Sequence, residues 1–180
     1  MKILLLVRHG SAGADDLSMG DRSRPLDPRG EREVAWLAAR CDEHLAQPGL
    51  IVTSPATRAA ATARLLAEAF RLDDGRVRSD ERLYEGWGGG LRGVLSDLDD
   101  EVARVAIVGH NPEVSAAARH FAPQIAHVPS GTLAALAFDI SRWAELSPAR
   151  LASACLHAPR PLTPPPPPRR GSTFLEKTLP

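Results

Sequence analysis

Apolar residues fall along this chain in two rhythms. Unbroken apolar runs occur at Ile3-Leu4-Leu5-Leu6-Val7, Leu50-Ile51-Val52 and Val105-Ala106-Ile107-Val108, each closed by a polar residue or glycine. Short runs of this kind predict strands covered on both faces, as in a parallel sheet. Between the first two runs the spacing changes to three and four. Val34, Leu37, Ala38, Cys41 and Leu45 recur at helical intervals, after Asp27-Pro28 and before Pro48-Gly49. Asp is a good N-cap, Pro suits the first helical position, and Pro-Gly ends the segment. An alanine-rich helix is predicted over about 56–70, a short one over about 91–101 and another over about 112–121. Residues 73–90 read as less regular, with a glycine-rich stretch at 86–90. Thr132 to Phe138 and Arg150 to Leu156 read as two further strands, and their short connection predicts antiparallel pairing. Strands alternating with helices in this way predict an α/β fold: a three-layer sandwich around a mostly parallel sheet, with an antiparallel pair near the C-terminus.

The last twenty residues differ in character. Pro161 to Pro168 holds six prolines, five of them consecutive, and Arg169-Arg170-Gly171 comes next. Polyproline joins neither sheet nor helix and has little to pack. Residues 1–160 are therefore read as one domain, and 161–180 as a proline-rich tail expected to be disordered. A proline-rich partner motif is the sharper alternative.

Charge and cysteine content narrow the function. Lys plus Arg and Asp plus Glu both total 22, so the formal net charge is zero. A nucleic-acid binder usually carries a basic excess, and none is expected as partner. Cys41 and Cys155 form no CxxC and no His/Cys cluster, so no zinc site or disulfide framework is predicted. Cys41 lies on the apolar helical stripe and reads as core packing. The apolar N-terminus stops at Arg8, short of a signal-peptide core. No run approaches the ~18 residues of a membrane span. The expectation is a soluble, cytoplasmic protein.

The chemistry lies just beyond the strands. Arg8-His9-Gly10 comes after the first run, Ser54-Pro55-Ala56-Thr57-Arg58 after the second and Gly109-His110-Asn111-Pro112 after the third. Loops at the carboxyl ends of parallel strands converge on one crevice, so two histidines and two arginines are expected to meet there. Arginine forks onto phosphate oxygens. A neutral imidazole is a competent nucleophile toward phosphorus. Its ordinary pKa of about 6.5 should fall beside arginine charges, keeping a lone pair available. A second histidine can donate to an oxygen on which charge builds in the transition state.

These three motifs, in this order and each after a strand, resemble the histidine phosphatase superfamily. The short chain and the segment Arg24-Pro25-Leu26-Asp27-x-x-Gly30 resemble its small SixA-like phosphohistidine phosphatase branch. The resemblance covers about residues 1–160 and implies a phosphoglycerate mutase-like fold. It further implies a phosphatase in which His9 is phosphorylated and then hydrolysed, while Arg8, Arg58 and His110 clamp the phosphoryl group. Arg24 resembles a position near the pocket; its other reading is a salt bridge to an Asp such as Asp21 or Asp27. No metal or other cofactor is implied. Glu85 is the candidate leaving-group acid, with Asp80 and Glu81 as neighbours able to take the role, and Trp87 is close enough in sequence to line the pocket. The long helical insertion that larger relatives carry after the second strand is absent, which suits a protein surface as substrate. A phosphohistidine protein is the expected substrate, with a small phosphate ester as one alternative and non-catalytic phosphate binding as another.

Overall fold

The computed structural model describes residues 1–13, 20–44, 47–85 and 90–159, with backbone alone for 41–44 and Glu85. The expectations for the Cys41 side chain and for the proline-rich tail lie outside the described residues. Six strands form one sheet: β1 (Lys2–Arg8), β2 (Leu50–Thr53), β3 (Val77–Ser79), β4 (Arg104–Gly109), β5 (Leu133–Phe138) and β6 (Leu151–His157), in the order β3-β2-β4-β1-β5-β6. β3, β2, β4 and β1 run parallel, β5 runs antiparallel to β1, and β6 antiparallel to β5. The expected antiparallel pair is present, and β5 is also reversed against β1.

Five α-helices are described: α1 (Pro28–His44), α2 (Thr57–Ala69), α3 (Arg82–Glu85), α4 (Gly90–Ser96) and α5 (Glu113–Phe121). The alternation of side chains along each strand feeds two separate cores. Leu5, Val7, Ile51, Ala106, Val108 and Ala135 pack with Val34 and Leu37 of α1 and Ala59, Ala63 and Leu66 of α2. Leu4, Leu6, Val52, Val105, Ile107 and Leu136 pack on the other face with α4, α5 and Trp143. Helices thus cover both faces of the sheet, which is why the apolar runs of β1, β2 and β4 do not alternate with polar residues. Among the described residues no helix is long and apolar enough to cross a membrane.

Two stretches differ from the sequence reading. β3 lies where irregular structure is expected from the sequence. It has only three residues, and Arg78 and Ser79 are exposed at the sheet edge, so no apolar run announces it. The helix expected over about 91–101 ends at Ser96. Aspartates favour turns over helix interiors by bonding nearby backbone. Asp99 accepts the Glu101 N–H at 2.9 Å, and Asp100 accepts the Trp143 N–H at 2.8 Å.

The entry to α1 fixes the loop after β1. Asp27 Oδ1 caps the helix by accepting the Gly30 N–H at 2.7 Å, and its Oδ2 accepts the Ser11 hydroxyl at 2.7 Å. The Asp27 N–H donates to the Ser11 carbonyl at 3.1 Å. The backbones are so close that a Cβ on Gly30 would lie 2.0 Å from Ser11 O, and one on Gly10 would lie 2.6 Å from Gly30 O. No side chain fits at either position. Gly30→Ala is expected to destabilise the fold by at least the ~1–3 kcal/mol typical of overpacking, read as a lower urea midpoint at unchanged slope. A midpoint within error of wild type would show that the loop can move aside.

Candidate active site

β1, β2 and β4 end on the same side of the sheet, and the residues after each contribute to one cleft of about 630 Å³. Arg8, His9, Arg24, Arg58 and His110 all line it, with Asp21, Tyr84 and Glu113. Five of the six residues singled out from sequence are therefore brought together. The sixth, Glu85, closes α3, and its side chain lies outside the described residues, as does Trp87. Asp80 and Glu81 do not form walls of this cleft. Asp80 is paired with Arg82 at 2.8 Å and Glu81 with Arg22 at 2.6 Å. Among the described residues no three His, Cys, Asp or Glu side chains gather closely enough to hold a metal ion.

The partners of His9 define its protonation. Its Nδ1 lies 2.7 Å from the Gly10 carbonyl, which can only accept, and its Nε2 lies 3.2 Å from Arg58 Nε, which can only donate. Nδ1 therefore carries the proton and Nε2 the lone pair. Burial is the main cause that lowers the His9 pKa to about 4, and Arg58, Arg8 and Arg24 lower it further against the opposing Gly10 bond. His110 stands 4.9 Å from His9 between ring centroids. Its pKa is pushed down to about 3, first by burial and then by His9 and Arg58. Both imidazoles are neutral near pH 7.

The arginines are held from several elements. Arg8, the last residue of β1, donates Nη1 to the Val128 carbonyl at 3.3 Å, and its Nε is buried without a partner among the described residues. Burial lowers its pKa, opposed by the charge of Glu33. Asn111 donates to the same Val128 carbonyl at 3.0 Å and accepts the Ser115 N–H at 3.1 Å, tying the turn after β4 to the Val128 segment. Arg58, on the first turn of α2, is 5% exposed. It sends Nη1 to the Asp21 carbonyl at 2.5 Å and Nη2 to Asp21 Oδ2 at 2.9 Å.

Asp21 does more than the sequence suggests. Its spacing offers it only as a partner for Arg24, and Arg24 does bond it through both Nε and Nη2. It also takes Arg58, 37 positions away, and accepts the Tyr84 hydroxyl at 3.3 Å. The Arg58 bonds hold its carboxyl at a pKa of about 2, with help from Arg24. Tyr84 belongs to no motif and stands in sequence beside the more conspicuous Glu85. It is the chain's single tyrosine and packs edge-on to His110 at 5.8 Å.

Two neutral histidines and three arginines thus surround one cleft at the carboxyl edge of an open α/β sheet, and the sequence comparison supplies the class. Residues 4–104 match the histidine phosphatase superfamily (branch 1), and the chain belongs to that superfamily. The matched span takes in His9, Arg24 and Arg58 and stops before His110. "Uncharacterized protein Rv1276c" of Mycobacterium tuberculosis is 31% identical over 169 residues, covering 86% of this chain and 100% of that one. A candidate phosphohistidine phosphatase SixA from Nakamurella multipartitia superposes with a TM-score of 0.74 at 24% identity, covering 88% of this chain and 96% of its own. A second such candidate, from Agrobacterium tumefaciens, gives 0.70 at 24% identity, with coverage of 88% and 99%. At that identity the two structures establish the fold.

Two outcomes are expected of the site's electrostatics. Folding depresses both histidine pKa values below the ordinary 6.5. As pH falls below 6.5 the unfolded chain takes up protons that the folded chain refuses. Stability is therefore full above 6.5 and is lost as pH falls toward 4 and then 3. Urea midpoints across that range, with His9 tracked by NMR, check this; a His9 titrating near 6.5 would contradict it. An oxyanion entering the cleft meets Arg58 and Arg24 already engaged by Asp21. Asp21→Asn is expected to tighten binding of inorganic phosphate by about tenfold, the scale of one hydrogen bond to a charged group. Calorimetric titration reads the effect, and weaker binding would mean that Asp21 assists the anion.

Proposed function

We propose that this chain is a metal-independent phosphatase in which His9 Nε2 takes the phosphoryl group and passes it to water, with a phosphohistidine protein as its substrate. The observation that carries the reading is the state of His9. Its proton is held on Nδ1 by Gly10, and its bare Nε2 faces Arg58 at 3.2 Å, with His110 beside it.

In the first step Nε2 bonds to phosphorus as the bond from phosphorus to the leaving atom breaks. The leaving group departs with the electron pair. Arg8, Arg58 and His110 hold the oxygens on which charge grows, and Arg24 takes a further oxygen once Asp21 releases it. In the second step water supplies an oxygen to phosphorus, the N–P bond breaks, and His9 returns to its neutral form. A departing imidazole can itself be protonated, so a phosphohistidine substrate makes little demand on an acid. An ester oxygen does make that demand, and Glu85 is the proposed donor in that case.

The short link between β2 and α2 supports a protein substrate. Three residues, Ser54 to Ala56, join the strand to the helix. Among the described residues no inserted segment stands over the cleft on that side, and a phosphorylated surface can approach. The SixA-like likeness of the two superposed structures supports the same choice.

The test is phosphate release, with EDTA present, from a phosphohistidine protein and from a panel of small phosphate esters. His9→Ala is expected to abolish turnover. Arg58→Ala is expected to cost roughly 10²–10³ in rate, the scale of removing one transition-state donor. A tenfold effect or smaller would count against its clamping role. His9-dependent turnover of one ester alone would keep the chemistry and move the substrate into small-molecule metabolism. No turnover of either would favour non-catalytic phosphate binding.

A further inference from the structure

Ser54 opens the second motif but does not line the cleft. It is wholly buried. Its N–H donates to the Val108 carbonyl of β4 at 2.9 Å, and its carbonyl accepts the Thr53 hydroxyl at 3.1 Å. These bonds fix the serine between the ends of β2 and β4. Its Oγ accepts the Ala56 N–H at 3.3 Å and lies 2.8 Å from His110 Nε2.

The direction of that last bond comes from counting partners. If Nε2 carried the imidazole proton it would donate to Oγ. The hydroxyl hydrogen, buried and with no other acceptor within reach among the described residues, would then be left without a partner. With the hydroxyl donating to Nε2 instead, every polar atom of Ser54 is satisfied. The proton of a neutral His110 then sits on Nδ1. That nitrogen is buried and has no hydrogen-bond partner among the described residues.

We infer that Ser54 sets the tautomer of His110, so that Nδ1–H is the free donor awaiting a phosphoryl oxygen. This rests on the proposed phosphoryl chemistry at His9. A neutral imidazole has one N–H, and the side on which it lies decides whether the ring attracts or repels an incoming oxygen. In the opposite tautomer a lone pair on Nδ1 would face that oxygen. Ser54 is a positioning residue that acts through His110 and makes no contact with substrate.

The experiment reads the tautomer directly by ¹H–¹⁵N NMR of the imidazole nitrogens in the full chain. Wild type is expected to hold the His110 proton on Nδ1, and that resonance is expected to move on titration with inorganic phosphate. In Ser54→Ala the proton is expected to shift to Nε2, phosphate to bind at least tenfold more weakly, and kcat to fall tenfold or more with a smaller change in KM. Ser54→Thr, which keeps the hydroxyl, is expected to restore the tautomer and most of the rate. A wild-type His110 with its proton on Nε2 would overturn the inference, whatever the variants do. So would a Ser54→Ala protein that keeps the Nδ1 proton and a kcat within twofold of wild type. The wild-type tautomer and its response to phosphate, found in a protein that turns over no substrate, would uphold this inference and remove the proposed function instead.

Discussion

The register between β1 and β4 is the constraint on which the cleft depends. Arg8 stands opposite Gly109, and the His9 N–H continues the ladder to the Gly109 carbonyl at 3.1 Å. The next residue after each of these strands is a histidine, so the two imidazoles emerge side by side. β2 lies on the other side of β4 with Thr53 opposite Val108, which sets Ser54 level with Gly109 and its hydroxyl within 2.8 Å of the His110 ring. A slip of one residue would turn Leu5 and Val7 out of their core and separate the rings at the same time. The packing that stabilises the sheet therefore also holds the two imidazoles in place, since both are read from one hydrogen-bond ladder.

Burial does the electrostatic work around that register. His9 and His110 lose water on entering the cleft, and the loss outweighs every other influence on their protonation. The arginines stay charged beside them because guanidinium gives up its proton only at very high pH. The result is positive charge around two uncharged rings, with Asp21 lying across Arg58 and Arg24. The glycine contact between residues 10 and 30 matters for the same reason. It lets the loop after β1 lie against the capped start of α1, where the Ser11 N–H meets Glu33 at 2.9 Å.

Much of this is legible in the sequence, and the limits have physical causes. β1, β2 and β4 announce themselves because strands covered on both faces must be apolar throughout. The two histidines and Arg58 come with them, because each stands just beyond such a strand. β3 does not, since an edge strand of three residues needs no apolar run. The insertion of β4 between β1 and β2 is also hidden, because strand order is a property of packing and local pattern does not carry it. Arg24 shows how a local reading can be half complete. Its partner three residues away is within reach of sequence reasoning, but the bond from that partner to Arg58 depends on how the turn at 21–23 lies over the start of α2. The serine hydroxyl on His110 is equally invisible, because Ser-Pro reads from sequence as a turn and nothing more.

Asp21 gives the cleft an occupant of its own. A bare oxyanion that displaces it exchanges one charged acceptor for another and gains little from the exchange. A phosphoryl group attached to something larger also brings contacts outside the arginines, where Tyr84 and the Arg22–Glu81 pair form the nearby surface. Under the proposed reading, discrimination would rest on the carrier of the phosphoryl group more than on the group itself. Under the same phosphatase reading, free phosphate would be the product, and it is the anion that such a site would be least inclined to retain.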